Sequence, residues 1–187
     1  MWLSLLLLAC PEVEGSKVIT SPTTGDPTDD TVPIVLSTSA CASCAGDCRI
    51  DELAYPSSYH TPEPIAYADI PPAGGPHNPC WAAWGTHETP VPDDNWVHNL
   101  EHGGVAFLYD CEDCEADVTG IVGLATALGD FTLVTPYPDM DPGYAVVAWG
   151  WRMVSGCFDP AAAEAFYTDH VDQGPESTMA APGEGCM

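Results

Sequence analysis

Nine consecutive residues, Val97-His98-Asn99-Leu100-Glu101-His102-Gly103-Gly104-Val105, place two imidazoles four positions apart with a carboxylate between them. On a helix, residues i and i+4 share a face. His98 and His102 would then aim at one point, and Gly103 would fall just past the helix end, where positive φ is cheap. A third imidazole, His77, sits in the restricted turn Gly74-Gly75-Pro76-His77. Three histidines with a carboxylate are a donor set for zinc or copper. Glu101 is expected to ligate the metal, to orient a histidine or to act as a base. Met140 and Met153 fall in the neighbouring strand region, where a thioether would favour copper. The same residues also fit a buried hydrogen-bonded network without metal. They fit the H-x-x-E-H signature of zinc peptidases as well, but there the motif lies in a long helix and here two glycines stop it. His60 and His87 have no spacing partner and read as surface histidines.

The elements that must hold these groups follow from pattern and punctuation. Asp93 or Asp94 can cap a short helix running to His102. A buried strand follows over 104–109, and apolar residues at Val118, Ile121, Val122, Leu124, Ala125 and Leu128 recur at helical spacing. A strand is expected over 131–137, a turn over 139–143, and one further strand over 144–153, paired with its predecessor as an antiparallel hairpin. Asp159-Pro160 opens the last helix, which runs to about Val171. This β-α-β-β-α order predicts an α+β domain, a small antiparallel or mixed sheet with helices on one face. Residues 51–96 are rich in proline and aromatics and read as a long irregular wrap over that core.

Composition narrows the setting. The 187-residue chain carries 28 acidic residues against Lys17, Arg49 and Arg152, a formal charge of -25. That charge argues against nucleic acid and against anionic membrane surfaces. Residues 1–10 form an apolar run ending in Leu7-Leu8-Ala9-Cys10, too short to span a bilayer. It is similar to a bacterial lipobox, with Cys10 as the lipidated residue of a signal peptide. Residues 11–40 read as a disordered acidic, Thr/Pro-rich tether, and residues 41–187 as a single domain. The chain is thus expected in the cell envelope, periplasmic or on the outer surface, touching membrane through its lipid alone. Without Cys10, eight cysteines remain, an even set that predicts disulfides in an oxidising compartment. Cys41-x-x-Cys44 and Cys111-x-x-Cys114 also have the spacing of zinc half-sites or of redox pairs.

Four segments together resemble one family. They are Pro71-Pro72-Ala73-Gly74-Gly75-Pro76-His77, the His98-Asn99-Leu100-Glu101-His102-Gly103 core, Ala148-Trp149-Gly150, and a C-terminal helix with His170 followed by Gly174-Pro175-Glu176. This is the pattern of the DUF3105 family of exported or membrane-anchored bacterial domains, and it covers residues from about 67 to 176. The resemblance implies His77, His98, Glu101 and His102 as site residues, with His170 and Glu176 behind them. It implies no reaction. The chain has Gly74 where the family tends to have serine.

Overall fold

The computed structural model describes residues 29–41, 48–111, 114–138, 140–141, 143–177 and 186. Cys10, the expected signal peptide and most of the expected tether lie outside them. The end of that tether does not: Ile34–Ala40 forms an edge strand, β1, exposed along its length. It pairs antiparallel with β2 (Cys48–Ala54), and a Cys41–Cys48 disulfide joins the residue after β1 to the first residue of β2. The remaining strands are β3 (Gly85–Thr86), β4 (Val105–Tyr109), β5 (Thr132–Pro136), β6 (Tyr144–Ala148) and β7 (Trp151–Ser155). The helices are α1 (Asp93–Glu101), α2 (Glu115–Leu128) and α3 (Pro160–His170).

These elements build a mixed α+β domain on one seven-stranded sheet in the order β1-β2-β7-β6-β4-β5-β3. The expected hairpin between the strands over 131–137 and 144–153 is not formed. β4 lies between β5 and β6, parallel to the first and antiparallel to the second. The physical cause is the α2 crossover, which returns β5 beside its predecessor in the same direction. The connection from β5 to β6 then passes over β4. The true hairpin is β6–β7, inside the apolar run that reads as one strand. Gly150, at φ 75°, turns the chain there.

Helices cover both faces, not one. Trp96, Val97 and Leu100 of α1 pack with Ala106, Leu108, Leu133 and Val147. Ile121 and Ala125 of α2 and Ala163 and Phe166 of α3 pack with the alternate residues Val105, Phe107, Val134 and Val146. Period-two alternation along β4 thus feeds two cores. α1 has Pro92 as its N-cap residue and no side-chain cap, so Asp93 and Asp94 sit in its first turn instead. Asp159 caps α3 as expected, accepting from the Ala161 and Ala162 amides.

Residues 55–84 contain neither helix nor strand beyond one isolated bridge, His60 to His77. Arg152 ties this segment to the α1 face of the sheet by donating to the Pro71 carbonyl at 2.9 Å. Cys80–Cys186 and Cys111–Cys114 are closed disulfides, and Cys157 is also disulfide-bonded. Among the described residues, no helix is long and apolar enough to cross a membrane.

Candidate metal centre

Asn95 to Glu101 are all buried, so His98 and Glu101 face protein rather than solvent. The helix stops at once because Gly103, at φ 88°, takes the left-handed position after the cap residue His102. That stop places Glu101 at the end of the sheet where β4 begins. His77 comes to the same place from the irregular segment. Its approach depends on Gly75, at φ 95°, where a Cβ would lie 2.8 Å from the Tyr55 ring.

His60 is brought in by backbone pairing. Thr61 N–H donates to the His77 carbonyl at 2.8 Å and His77 N–H donates to the Tyr59 carbonyl at 3.1 Å. His60, His77, His98 and Glu101 each offer one ligand atom, all within 4.8 Å of one another, and this group could hold a metal ion. His77 is fully buried, Glu101 is 3 % and His98 4 % exposed, while the His60 side chain is 40 % exposed and forms the solvent side.

The ring nitrogens are not equivalent. Three Nδ1 atoms face backbone carbonyls: His77 to Gly75 at 2.8 Å, His98 to Asn78 at 2.7 Å and His102 to Glu176 at 3.0 Å. A carbonyl only accepts, so each of these Nδ1 atoms carries the hydrogen. In the neutral ring, Nε2 is then a bare lone pair. His77 Nε2 nevertheless faces Glu101 Oε2 at 2.9 Å, and His60 Nε2 faces the same oxygen at 3.2 Å. His98 Nε2 lies 4.0 Å from that oxygen and 3.0 Å from His102 Nε2. The Nδ1 contacts of His77 and His98 thus aim both Nε2 atoms into the cluster, where a metal ion, or at His77 a proton shared with Glu101, satisfies them.

Electrostatics act in the same direction. Burial, reinforced by the neighbouring imidazoles His77, His102 and His60, drives His98 down to about 4, against the pull of the Asn78 carbonyl. Burial pushes Glu101 up, but the His77 hydrogen bond and the charges of His77, His60 and His98 outweigh it and hold the carboxyl below its ordinary value. At neutral pH His98 is a free base beside an ionised carboxylate, which is the state a metal requires. Trp81 packs edge-on against both His98 and His102 at 5.2 Å, and Trp149 against His77 at 5.8 Å, walling the site with apolar surface.

The other candidates separate clearly. His102 is half-buried beside His98 but outside the four-residue group. Glu176 reaches the centre through its backbone, its carbonyl meeting His102 and its N–H donating to the Glu101 carbonyl at 3.0 Å. His170 is elsewhere: it stacks on Trp151 at 4.5 Å and against Phe166, on the α3 face of the sheet. Met153 packs into that same opposite core. Met140 lies at the far end of β4, its N–H donating to Asp110 Oδ2. Neither methionine offers the centre a thioether. His87 bonds through Nε2 to the Ala83 carbonyl and takes no part. His60 is the residue that spacing missed. Its neighbour His77 is seventeen positions away, and only the backbone bridge joins them.

A family model described as "Protein of unknown function (DUF3105)" matches residues 59–183, a span that holds all four ligand candidates. No curated protein and no solved structure matches the chain.

Proposed function

The chain belongs to the DUF3105 family, and from the geometry of its buried histidines we propose that it binds one transition-metal ion through His60, His77, His98 and Glu101. The observation that carries this reading is the convergence of three ring nitrogens and one carboxylate within 4.8 Å of one another, with Nδ1 of His77 and His98 held by backbone carbonyls. Such carbonyl contacts fix tautomer and ring direction in known metal sites. His102 stands next to His98 as a further imidazole at the rim, and the Glu176 carbonyl orients it.

Zinc is the favoured ion and copper the alternative. Three imidazoles and a carboxylate suit the four-coordinate preference of zinc. A thioether ligand would favour copper, and both methionines lie away from the centre. When bound, the ion would supply Lewis acidity. The chain's own part is to hold three rings, exclude water on the buried side through Trp81 and Trp149, and leave His60 towards solvent. A zinc-peptidase role draws little support, because α1 has nine residues and ends at Glu101.

The setting we propose is the cell envelope, with Cys10 carrying the lipid. The closed disulfides support an oxidising compartment. The test is elemental analysis of untagged protein purified from the envelope and then loaded with zinc or copper. One equivalent per chain is expected, lost in His77→Ala. A full-length, folded protein that retains no metal returns the cluster to a purely structural network.

A further inference from the structure

The metal centre leaves one motif unused, and it lies at the other end of the same strand. β4 runs away from the histidines to Asp110, and Cys111 follows. Cys111 is bonded to Cys114, three positions on, and Cys114 is the N-cap residue of the 14-residue α2. β5 then returns parallel to β4. A C-x-x-C disulfide thus stands between a buried strand and a helix N-terminus within a β-α-β unit. Both cysteines are half-buried and so reach solvent, unlike Cys48 at 5 % exposure.

We propose that Cys111 and Cys114 are a thiol–disulfide exchange site whose reduced form donates two electrons to a disulfide of a partner protein. A structural role explains this bridge poorly. Cross-links stabilise mainly by removing loop freedom from the unfolded chain, and the shortest loop removes least. Cys80–Cys186 spans 106 positions and anchors the C-terminal end, whereas Cys111–Cys114 spans three. Its position favours reactivity, since a helix N-terminus stabilises a thiolate.

The surrounding charge sets the direction of transfer. Asp110, Glu112, Asp113, Glu115 and Asp117 flank the pair with no basic residue among them. Asp110 is held by the Met140 N–H, and Asp117 accepts from the Tyr144 hydroxyl at 2.6 Å. Carboxylates this near in sequence oppose the helix N-terminus and weaken, without abolishing, its stabilisation of the thiolate. Strong oxidants of this class owe their power to a stabilised reduced form. A pair with less of that stabilisation favours its disulfide and so gives electrons away.

The step balances. One thiolate of the pair attacks a sulfur of the partner disulfide and expels the other partner sulfur as thiolate. The second cysteine then attacks the first, closing the Cys111–Cys114 bond and releasing the partner's remaining thiolate. The two protons of the pair end on the partner's thiols. A dithiol donor resets the site.

The test uses the full-length protein. With dithiothreitol as donor and insulin as acceptor, insulin precipitation is expected to start at least fivefold faster than with dithiothreitol alone. Cys111→Ser and Cys114→Ser should each abolish the gain. In dithiothreitol redox buffers, alkylation and mass spectrometry of the parent should find Cys111 and Cys114 opening together while Cys80 and Cys186 stay bonded. Replacing Glu112, Asp113 and Glu115 by their amides should make the pair at least threefold easier to reduce. No acceleration by the parent protein, or opening no earlier than Cys80–Cys186, overturns the exchange site. An unchanged equilibrium in the triple amide variant overturns the assigned direction.

Discussion

Two buried polar clusters occupy the α1 face of one sheet, and they are satisfied in opposite ways. Around Arg152, 3 % exposed, donors meet acceptors. Its guanidinium reaches Asp51 at 3.1 Å, Asp69 at 3.0 Å and the Pro71 carbonyl, and Asp51 also accepts from Thr38 and Arg49. Burial lowers Arg152, but the Asp69 and Asp51 carboxylates outweigh it and raise the guanidinium above its ordinary value. Around Glu101, the ring nitrogens of His60, His77 and His98 converge on one carboxylate. The first cluster neutralises its charges within the chain, leaving the Arg152 Nε as its one unpartnered polar atom, and fastens the irregular segment to the sheet. The second gathers ligand atoms that could hold a metal ion. A buried polar group that is paired speaks for architecture, and one whose lone pairs converge speaks for a ligand.

The comparison breaks most sharply at the ligands. His77→Ala or His98→Ala should cut metal affinity by more than the roughly 10–100-fold that loss of an orienting partner costs. His60→Ala should also weaken binding, while His87→Ala and His170→Ala should not. Competition against a chelator of known affinity reads this directly. Equal affinity in His98→Ala and His170→Ala would erase the distinction between the two clusters.

Arg152→Met tests the other side. Removing the cation takes one of two guanidinium partners from buried Asp51 and leaves Asp69 and the Pro71 carbonyl without theirs, at a cost of about 1–3 kcal/mol. Urea unfolding should show that loss as a lower midpoint. The remaining folded fraction should bind metal as the parent does, because no Arg152 contact reaches the four ligands. A large drop in affinity per folded molecule would mean that the clusters are one unit.

Acid sharpens the contrast further. His98 falls from an ordinary 6.5 to about 4 in the folded chain. The unfolded chain therefore binds more protons between these values, and stability of the metal-free protein should fall as pH drops from 6.5 towards 4. The full effect is about 3 kcal/mol by linkage. Glu101, also held low, adds loss of the same sign at the acid end, below its ordinary 4.5. Reference imidazoles would compete with metal from about pH 6, whereas His98 competes only near pH 4. His98→Gln should flatten the unfolding midpoint between pH 6.5 and 4.

Much of the centre was legible because its chemistry is local. His98 and Glu101 share one turn of helix, Gly103 marks where it stops, and Gly74-Gly75-Pro76 announces a fixed approach for His77. His60 was not legible, since pairing of residues 59–61 with His77 leaves no periodic trace. The same divide runs through the fold. α2 follows from spacing and α3 from capping, and β4 and β5 from apolar runs, whereas β1, β2 and β3 fall in stretches that read as tether or irregular wrap. Strand order does not, because a parallel crossover and an over-strand connection depend on distant packing. The run from Tyr144 to Met153 hid a hairpin for a similar reason. Both of its halves are buried, so no polar interruption marks the turn except Gly150.

The smallest effect separates backbone from side chain. Glu176 could act near the centre as a carboxylate or as a peptide unit, and sequence alone favours the first because acidic residues are common ligands. The geometry points to the second: His102 Nδ1 meets the Glu176 carbonyl at 3.0 Å, and the Glu176 N–H meets the Glu101 carbonyl, while the residue itself is exposed. Both contacts survive removal of the side chain. Glu176→Ala should leave metal affinity within about twofold, since one exposed charge changes little at this range. Calorimetric titration of the variant with zinc checks it. A tenfold loss would place the Glu176 carboxylate among the ligands and would require the 174–176 turn to close over the ion.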